Sequence, residues 1–197
     1  MNLPNKITVT RIILSIILLI MMVFPFYQIG YTFPVYLIAG RIEISLKYII
    51  CAALFIIASL TDLLDGHLAR KRGEVTDFGK VMDAIADKIL VNGLLIVLAV
   101  DGYLPVVVPV IIITRDTFVD SIKMAAGGGG HAVGASILGK IKTCCMMFGL
   151  SFMLISNLPF ELVGLRVADA LIILATVLSV VSGIEYYNSY KDAFKKK

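Results

Sequence analysis

Six apolar stretches recur along this chain, each close to the length of about 20 residues that an α-helix needs to cross a bilayer. They fall at about 12–27, 44–70, 77–100, 106–126, 135–156 and 162–187. Helix breakers separate them: Pro25, Gly30, Pro34 and Gly40 after the first, Asp101, Gly102 and Pro105 after the third, a glycine run from Gly127 to Gly130, then Asn157 and Pro159. The chain is 59% hydrophobic and only 16% charged, with a mean hydropathy of +0.94 over 197 residues. A soluble domain of this size cannot hide so much apolar surface. Membrane barrels alternate polar and apolar residues and are less apolar overall. The expectation is an all-α, polytopic integral membrane protein with six transmembrane helices in a single domain over 1–197. A polar segment at about 1–11 lies in the interface ahead of the first span, and a polar tail follows from about 188 to 197. The first apolar run outlasts a signal-peptide core and lacks an A-x-A site, so it reads as a retained anchor.

Six spans put both termini on one side. Of the 18 Lys and Arg residues, all but Arg41, Lys47 and Arg166 fall on that side. The positive-inside rule makes it the cytoplasm. The basic end, Lys195 to Lys197, suits attraction to anionic membrane lipids, and no nucleic-acid partner is expected.

The same side receives the stretch DLLDGHLARKRGEVTDFGKVMDAIAD at 62–87. Asp62 and Asp65 share one helical face with Gly66, Ala69 and Arg70, and Asp83 and Asp87 share another with Gly79. Four carboxylates meeting at a membrane border are costly unless a cation compensates them. With oxygen ligands alone, that cation is a hard divalent ion, Mg²⁺ or Mn²⁺, and four carboxylates suit a two-ion site. The bland alternative is a solvated helix end whose carboxylates pair with Arg70, Lys80 and Lys88. The shared faces and the small residues Gly66, Ala69, Gly79 and Ala86 speak against it.

A second set of charges is cationic. Arg115 and Lys123 lie eight residues apart on the fourth segment, two turns along one face; Lys140 and Lys142 open the fifth. Lys140 and Lys142, two apart, do not share a helix face. Together these cations suit a phosphate-bearing, anionic substrate, and positive-inside bias alone is the competing account. The glycine run lacks the Lys-Ser/Thr of a phosphate-binding loop and reads as a loop. Cys51, Cys144 and Cys145 read as small apolar filler, with no metal spacing.

Asp62-x2-Asp65-Gly66-x2-Ala69-Arg70-x8-Gly79-x3-Asp83-x3-Asp87 resembles, at all eight fixed positions, the signature of the CDP-alcohol phosphatidyltransferase family. NLPNKITVTR at 2–11, ITRD at 113–116 and the stretch from Ser136 through GKIKT at 139–143 are similar to the branch that acts on glycerol 3-phosphate. The resemblance covers most of the chain. It departs at Lys123, where that branch has Arg, so the charge is kept and the bidentate fork lost, and at the AGGGG stretch. It implies a six-helix fold, usually a homodimer, in the bacterial cell membrane with its active site facing the cytoplasm. It implies CDP-diacylglycerol as donor, CMP as leaving group and sn-glycerol 3-phosphate as acceptor. By position it makes Asp62, Asp65, Asp83 and Asp87 metal ligands and Asp87 the general base. It places Gly66, Ala69, Arg70, Thr76 and Gly79 on the CDP moiety, with Asn5 and Thr8 closing that site from the first helix. Arg115, Lys123, Lys140 and Lys142 then hold the acceptor phosphate.

Rival readings remain open on the sequence. Phosphatidylglycerol, inositol phosphate or serine could be the acceptor. A divalent-cation transporter would also carry acidic residues in its spans, and a non-catalytic scaffold would not need them to react.

Overall fold

The structure, a computed structural model, describes residues 3–72, 77–128 and 136–195; within these, the side chains of 3–4, 63–72, 77–78, 80, 125–128 and 190–195 lie outside the description. The apolar segments form six α-helices: α1 (Leu3–Val23), α2 (Leu46–Arg72), α3 (Asp77–Val100), α4 (Val107–Gly128), α5 (Ile137–Leu154) and α6 (Val167–Lys195). The polar N-terminal residues are the first turns of α1, in one helix with the apolar run. Helix α1 stops ahead of Pro25, earlier than the expected end near 27, because proline cannot donate to the continuing ladder. Helix α6 starts later than expected, since a short 3₁₀ turn at Phe160–Val163 and Gly164, with φ of 71°, take up the residues after 159. It also runs further, to Lys195: no glycine or proline follows Gly183, so the segment expected to be a tail from 188 is helical up to 195. Helix α4 reaches Gly128, and the rest of the glycine run lies outside the described residues.

One element departs from an all-α reading. The stretch between α1 and α2 forms an antiparallel hairpin of β1 (Val35–Ile38) and β2 (Ile42–Ser45), with Val35 opposite Ser45 and Ile38 opposite Ile42. Val35, Tyr36, Ile38, Ile42 and Ile44 are β-branched or aromatic types that favour strands. Ala39 and Gly40 turn the chain with φ of 52° and 68°, the second being the conformation that glycine adopts without strain.

The helices alternate in direction. Helix α1 packs on α2 and α3, α6 on α4 and α5, and α2–α5 and α3–α4 contacts join the two groups. A continuous core of Leu18, Phe55, Leu90, Leu94, Ile112, Leu150, Leu154 and Ile172 runs through the bundle. At Gly149 the absent side chain lets α6 come close: a Cβ there would stand 2.8 Å from Ile172 Cδ1. The outside is strongly apolar, with Ile20, Val110, Phe148 and Ile184 exposed, whereas Arg11, Ser15, Ser179 and Ser182 are buried. Apolar outside and polar inside is the arrangement that lipid demands and water does not. Cys144 faces out as well, against the expectation of buried filler that Cys51 meets. Among the described residues, α1, α5 and α6 are long and apolar enough to cross a membrane, over Asn5–Val23, Ile137–Leu154 and Val167–Ser189. Helices α2, α3 and α4 devote part of their length to charged residues, and those parts meet at one end of the bundle.

Candidate active site

The acidic half is built on α1. Asn5, Thr8, Arg11 and Ser15 recur at intervals of three and four and are all buried, so a polar stripe faces inward from an otherwise apolar helix. Arg11 is its centre, at 1% exposure. Its guanidinium forms ion pairs with Asp62 of α2 and Asp83 of α3, and its carbonyl accepts a 2.8 Å hydrogen bond from the Ser15 hydroxyl. Two carboxylates from two helices thus converge on one buried cation. That donor set, oxygen only and with surplus negative charge, fits a hard divalent ion. Asp65, Gly66, Ala69 and Arg70 follow Asp62 on α2 within the next turns; their side chains lie outside the described residues, and Thr76 lies outside them altogether. Gly79 is half-buried on the first turn of α3. Among the described residues, no three His, Cys, Asp or Glu side chains gather.

Asp87, one turn beyond Asp83 on α3, joins this half to a second one. It lies within electrostatic reach of Arg11 and Asp83 on one side and of Lys142 and Asp116 on the other. It lines a cavity of about 190 Å³ together with Arg115, Asp116 and Lys123 of α4 and Lys142 and Thr143 of α5. Of the four cations singled out in the sequence, Arg115, Lys123 and Lys142 line this cavity, and Lys140 is exposed and does not. The cause is the one-turn geometry: two residues apart on a helix, Lys140 and Lys142 point in different directions. Arg115 is fixed by three partners. Its Nε donates to the Ser179 carbonyl at 3.0 Å, Nη2 to the Ser182 hydroxyl at 2.6 Å and Nη1 to Asp116 Oδ1 at 2.8 Å. Lys142 Nζ donates to both Asp116 oxygens, at 2.7 and 2.8 Å. Lys123 stands 5.2 Å from the centre of the buried Tyr186 ring, within cation–π range. At the rim, Lys88 pairs with Asp120.

Two residues in this arrangement carry more than sequence reasoning assigned them. In the sequence Arg11 reads only as a topology-setting charge, although its spacing from Asn5 and Thr8 puts it on their face. Asp116 stands in ITRD with no role assigned; a carboxylate adjoining an arginine inside an apolar helix is the available signal.

The fold and the site together define a helical, lipid-suited protein in which a pair of carboxylates on a buried arginine and a cavity lined by Arg115, Lys123 and Lys142 flank one shared aspartate. A family profile for CDP-alcohol phosphatidyltransferases matches residues 1–181. A CDP-diacylglycerol–glycerol-3-phosphate 3-phosphatidyltransferase of Bacillus subtilis (strain 168) is 42% identical, over 98% of this chain and 97% of its own length. An enzyme of the same name from Rickettsia felis is 30% identical over 98% and 97% of the two chains, and one from Treponema pallidum 34% identical over 73% and 70%. The chain belongs to the CDP-alcohol phosphatidyltransferase family.

Proposed function

We propose that this protein transfers the phosphatidyl group of CDP-diacylglycerol to sn-glycerol 3-phosphate, yielding phosphatidylglycerophosphate and CMP. The observation that carries the reading is the cavity that places Asp87 among Arg115, Lys123 and Lys142, in a chain whose near-full-length relatives bear the name of that reaction. A small phosphate ester needs cations for its phosphate and a base for its hydroxyl, and this cavity offers both. Serine carries no phosphate and would make no use of the positive charge that Arg115, Lys123 and Lys142 bring to the cavity.

In the reaction, the primary hydroxyl of the acceptor attacks the phosphorus that bears the diacylglycerol. A new P–O bond forms, the bond to CMP breaks, and the hydroxyl proton passes to Asp87. Lys142 and Lys123 hold the acceptor phosphate so that the hydroxyl approaches in line, and such positioning is worth several kcal/mol of barrier. Arg115, pinned to α6, adds fixed positive charge. Asn5, Thr8, Gly66, Ala69, Arg70, Thr76 and Gly79 form the CDP side of the site. Asp62, Asp65, Asp83 and Asp87 would hold Mg²⁺ or Mn²⁺, two ions in all, which would neutralise the diphosphate and the departing CMP.

In this reading the six helices all span the bacterial cell membrane, with both termini and the site on the cytoplasmic side, and two copies form a homodimer. Support for this topology comes from the charge distribution and from the gathering of α1, α2, α3, α4, α5 and α6 site residues at one end. The decisive assay offers purified protein CDP-diacylglycerol with labelled glycerol 3-phosphate, phosphatidylglycerol, inositol phosphate or serine. CMP release with glycerol 3-phosphate is expected; release only with another alcohol would reassign the acceptor.

A further inference from the structure

The anion that occupies the basic cavity in this structure belongs to the chain itself. Asp116 offers one oxygen to both Arg115 and Lys142, and the other to Lys142 again, all at 2.7–2.8 Å. One carboxylate thereby engages cations from two helices much as a phosphate oxyanion would. Lys142 is buried, at 8% exposure, and a buried ammonium without a counter-charge is expensive. The other charges facing the cavity are placed differently: Lys88 pairs with Asp120, Lys123 sits over Tyr186, and Asp87 is shared between Arg11 and Lys142, acting on Lys142 through space where Asp116 binds it directly. Arg115 is held independently by Ser179 and Ser182, so it stays in place whether or not Asp116 binds it.

We propose that Asp116 is a resident counter-anion of the acceptor-phosphate subsite, which keeps Lys142 paired and aimed while the site is empty and yields it to the incoming phosphate. The inference rests on the reading of this cavity as the phosphate subsite. Its consequence is selectivity. A phosphate ester with two negative charges can take Lys142 from a single carboxylate, whereas an uncharged alcohol cannot, so Asp116 sets the entry requirement for the acceptor. It acts through Lys142 and touches no reacting atom, which makes it a positioning residue.

The linkage predicts an unusual sign. Removing the carboxylate charge raises the free energy of the empty site, where Lys142 loses its partner, more than that of the occupied one, where phosphate replaces it. Asp116→Asn in the full-length protein should therefore bind inorganic phosphate more tightly than the unaltered protein, by about tenfold, in a calorimetric titration. Lys142→Met should bind it more weakly. Equal or weaker binding by Asp116→Asn overturns the counter-anion role, while the subsite reading stands so long as Lys142→Met loses affinity. If Lys142→Met binds phosphate as well as the unaltered protein, the subsite reading itself fails, and the inference with it. Should Asp116→Asn not fold in phosphate-free buffer, added phosphate or a second change, Lys142→Met, should restore cooperative melting; failure of both also overturns the role.

Discussion

Asp87 is the one described carboxylate that faces both halves of the site, and its substitution separates chemistry from binding. Asp87→Asn keeps the size of the side chain and removes the base. CMP release should fall by about 10²- to 10⁴-fold, while the protein still inserts and still binds CDP-diacylglycerol in a filtration or fluorescence assay. Loss of donor binding in parallel would mean that Asp87 serves the donor and not the acceptor hydroxyl. Arg11 supports a different expectation. It stands between Asp62 and Asp83, so Arg11→Ala leaves two carboxylates facing each other with no cation, a destabilising pairing. The variant should melt at lower temperature, and Mg²⁺ or Mn²⁺ should raise its Tm by more than it raises that of the unaltered protein. An equal metal-induced shift in both would separate these carboxylates from any metal site. At this scale the sequence was informative where spacing alone decides direction. The 62–87 carboxylates and the pair Arg115 and Lys123 could be placed on shared faces by counting. The adjoining Arg115 marks Asp116 as a candidate, but its contact with Lys142 could not be read, because it depends on α5 coming against α4 and no local pattern encodes that.

The seam between α4 and α6 is where an element-level change reaches the site. Gly183 passes over Arg115, and a Cβ added there would stand 3.1 Å from Arg115 Cγ. Gly183→Leu must push the arginine off Ser179 and Ser182, an overpacking cost of about 1–3 kcal/mol. Thermal unfolding in detergent should show lower stability, and the KM for glycerol 3-phosphate should rise because Asp116 and Lys142 follow Arg115. The loop before α6 makes the contrasting case. Asn157 donates from Nδ2 to Glu161 Oε2 at 2.9 Å and to the Leu165 carbonyl at 2.6 Å, and its Oδ1 accepts from the Ala168 N–H at 3.0 Å. Asn157→Ala loses these bonds near the start of α6, at the bundle end away from the cavity, and should cost about 2 kcal/mol with both kinetic constants unchanged. A change in KM there would show that the far loop is coupled to the site. The helices were largely legible, since breakers and apolar run lengths bound most of their ends to within a few residues; the end of α6, where no breaker follows Gly183, was not. The hairpin was not: its strands have only four residues each, and Pro34, Gly40 and the surrounding turn residues dominate the local signal. Its existence depends on pairing across the turn, which composition does not report.

The dimensions of the whole molecule connect its charge asymmetry to its placement. Helix α6 has 29 residues, about 43 Å at 1.5 Å per residue, whereas the hydrocarbon core is about 30 Å thick. Its surplus length lies at the Lys191 and Lys195 end, the same end that carries Arg11, Asp62, Asp83, Asp116 and Lys142. The opposite end is held by few charges: Lys47 donates to the Met22 carbonyl at 2.8 Å, and the Tyr48 hydroxyl donates to Asp101 at 2.8 Å. A bundle so arranged can bury its apolar belt in lipid in either direction, and the Lys and Arg imbalance selects one. In the proposed topology the site opens toward the compartment that holds soluble phosphate esters and nucleotides. Replacing Cys51, Cys144 and Cys145 and introducing single cysteines tests this directly. Arg41→Cys, in the hairpin loop, should react with a membrane-impermeant maleimide added to intact cells. Ser189→Cys, on the C-terminal turns of α6, should react only after permeabilisation. Labelling in the reverse order would invert the topology and expose the acceptor cavity to the outside, where a cytoplasmic phosphate ester could not reach Lys142.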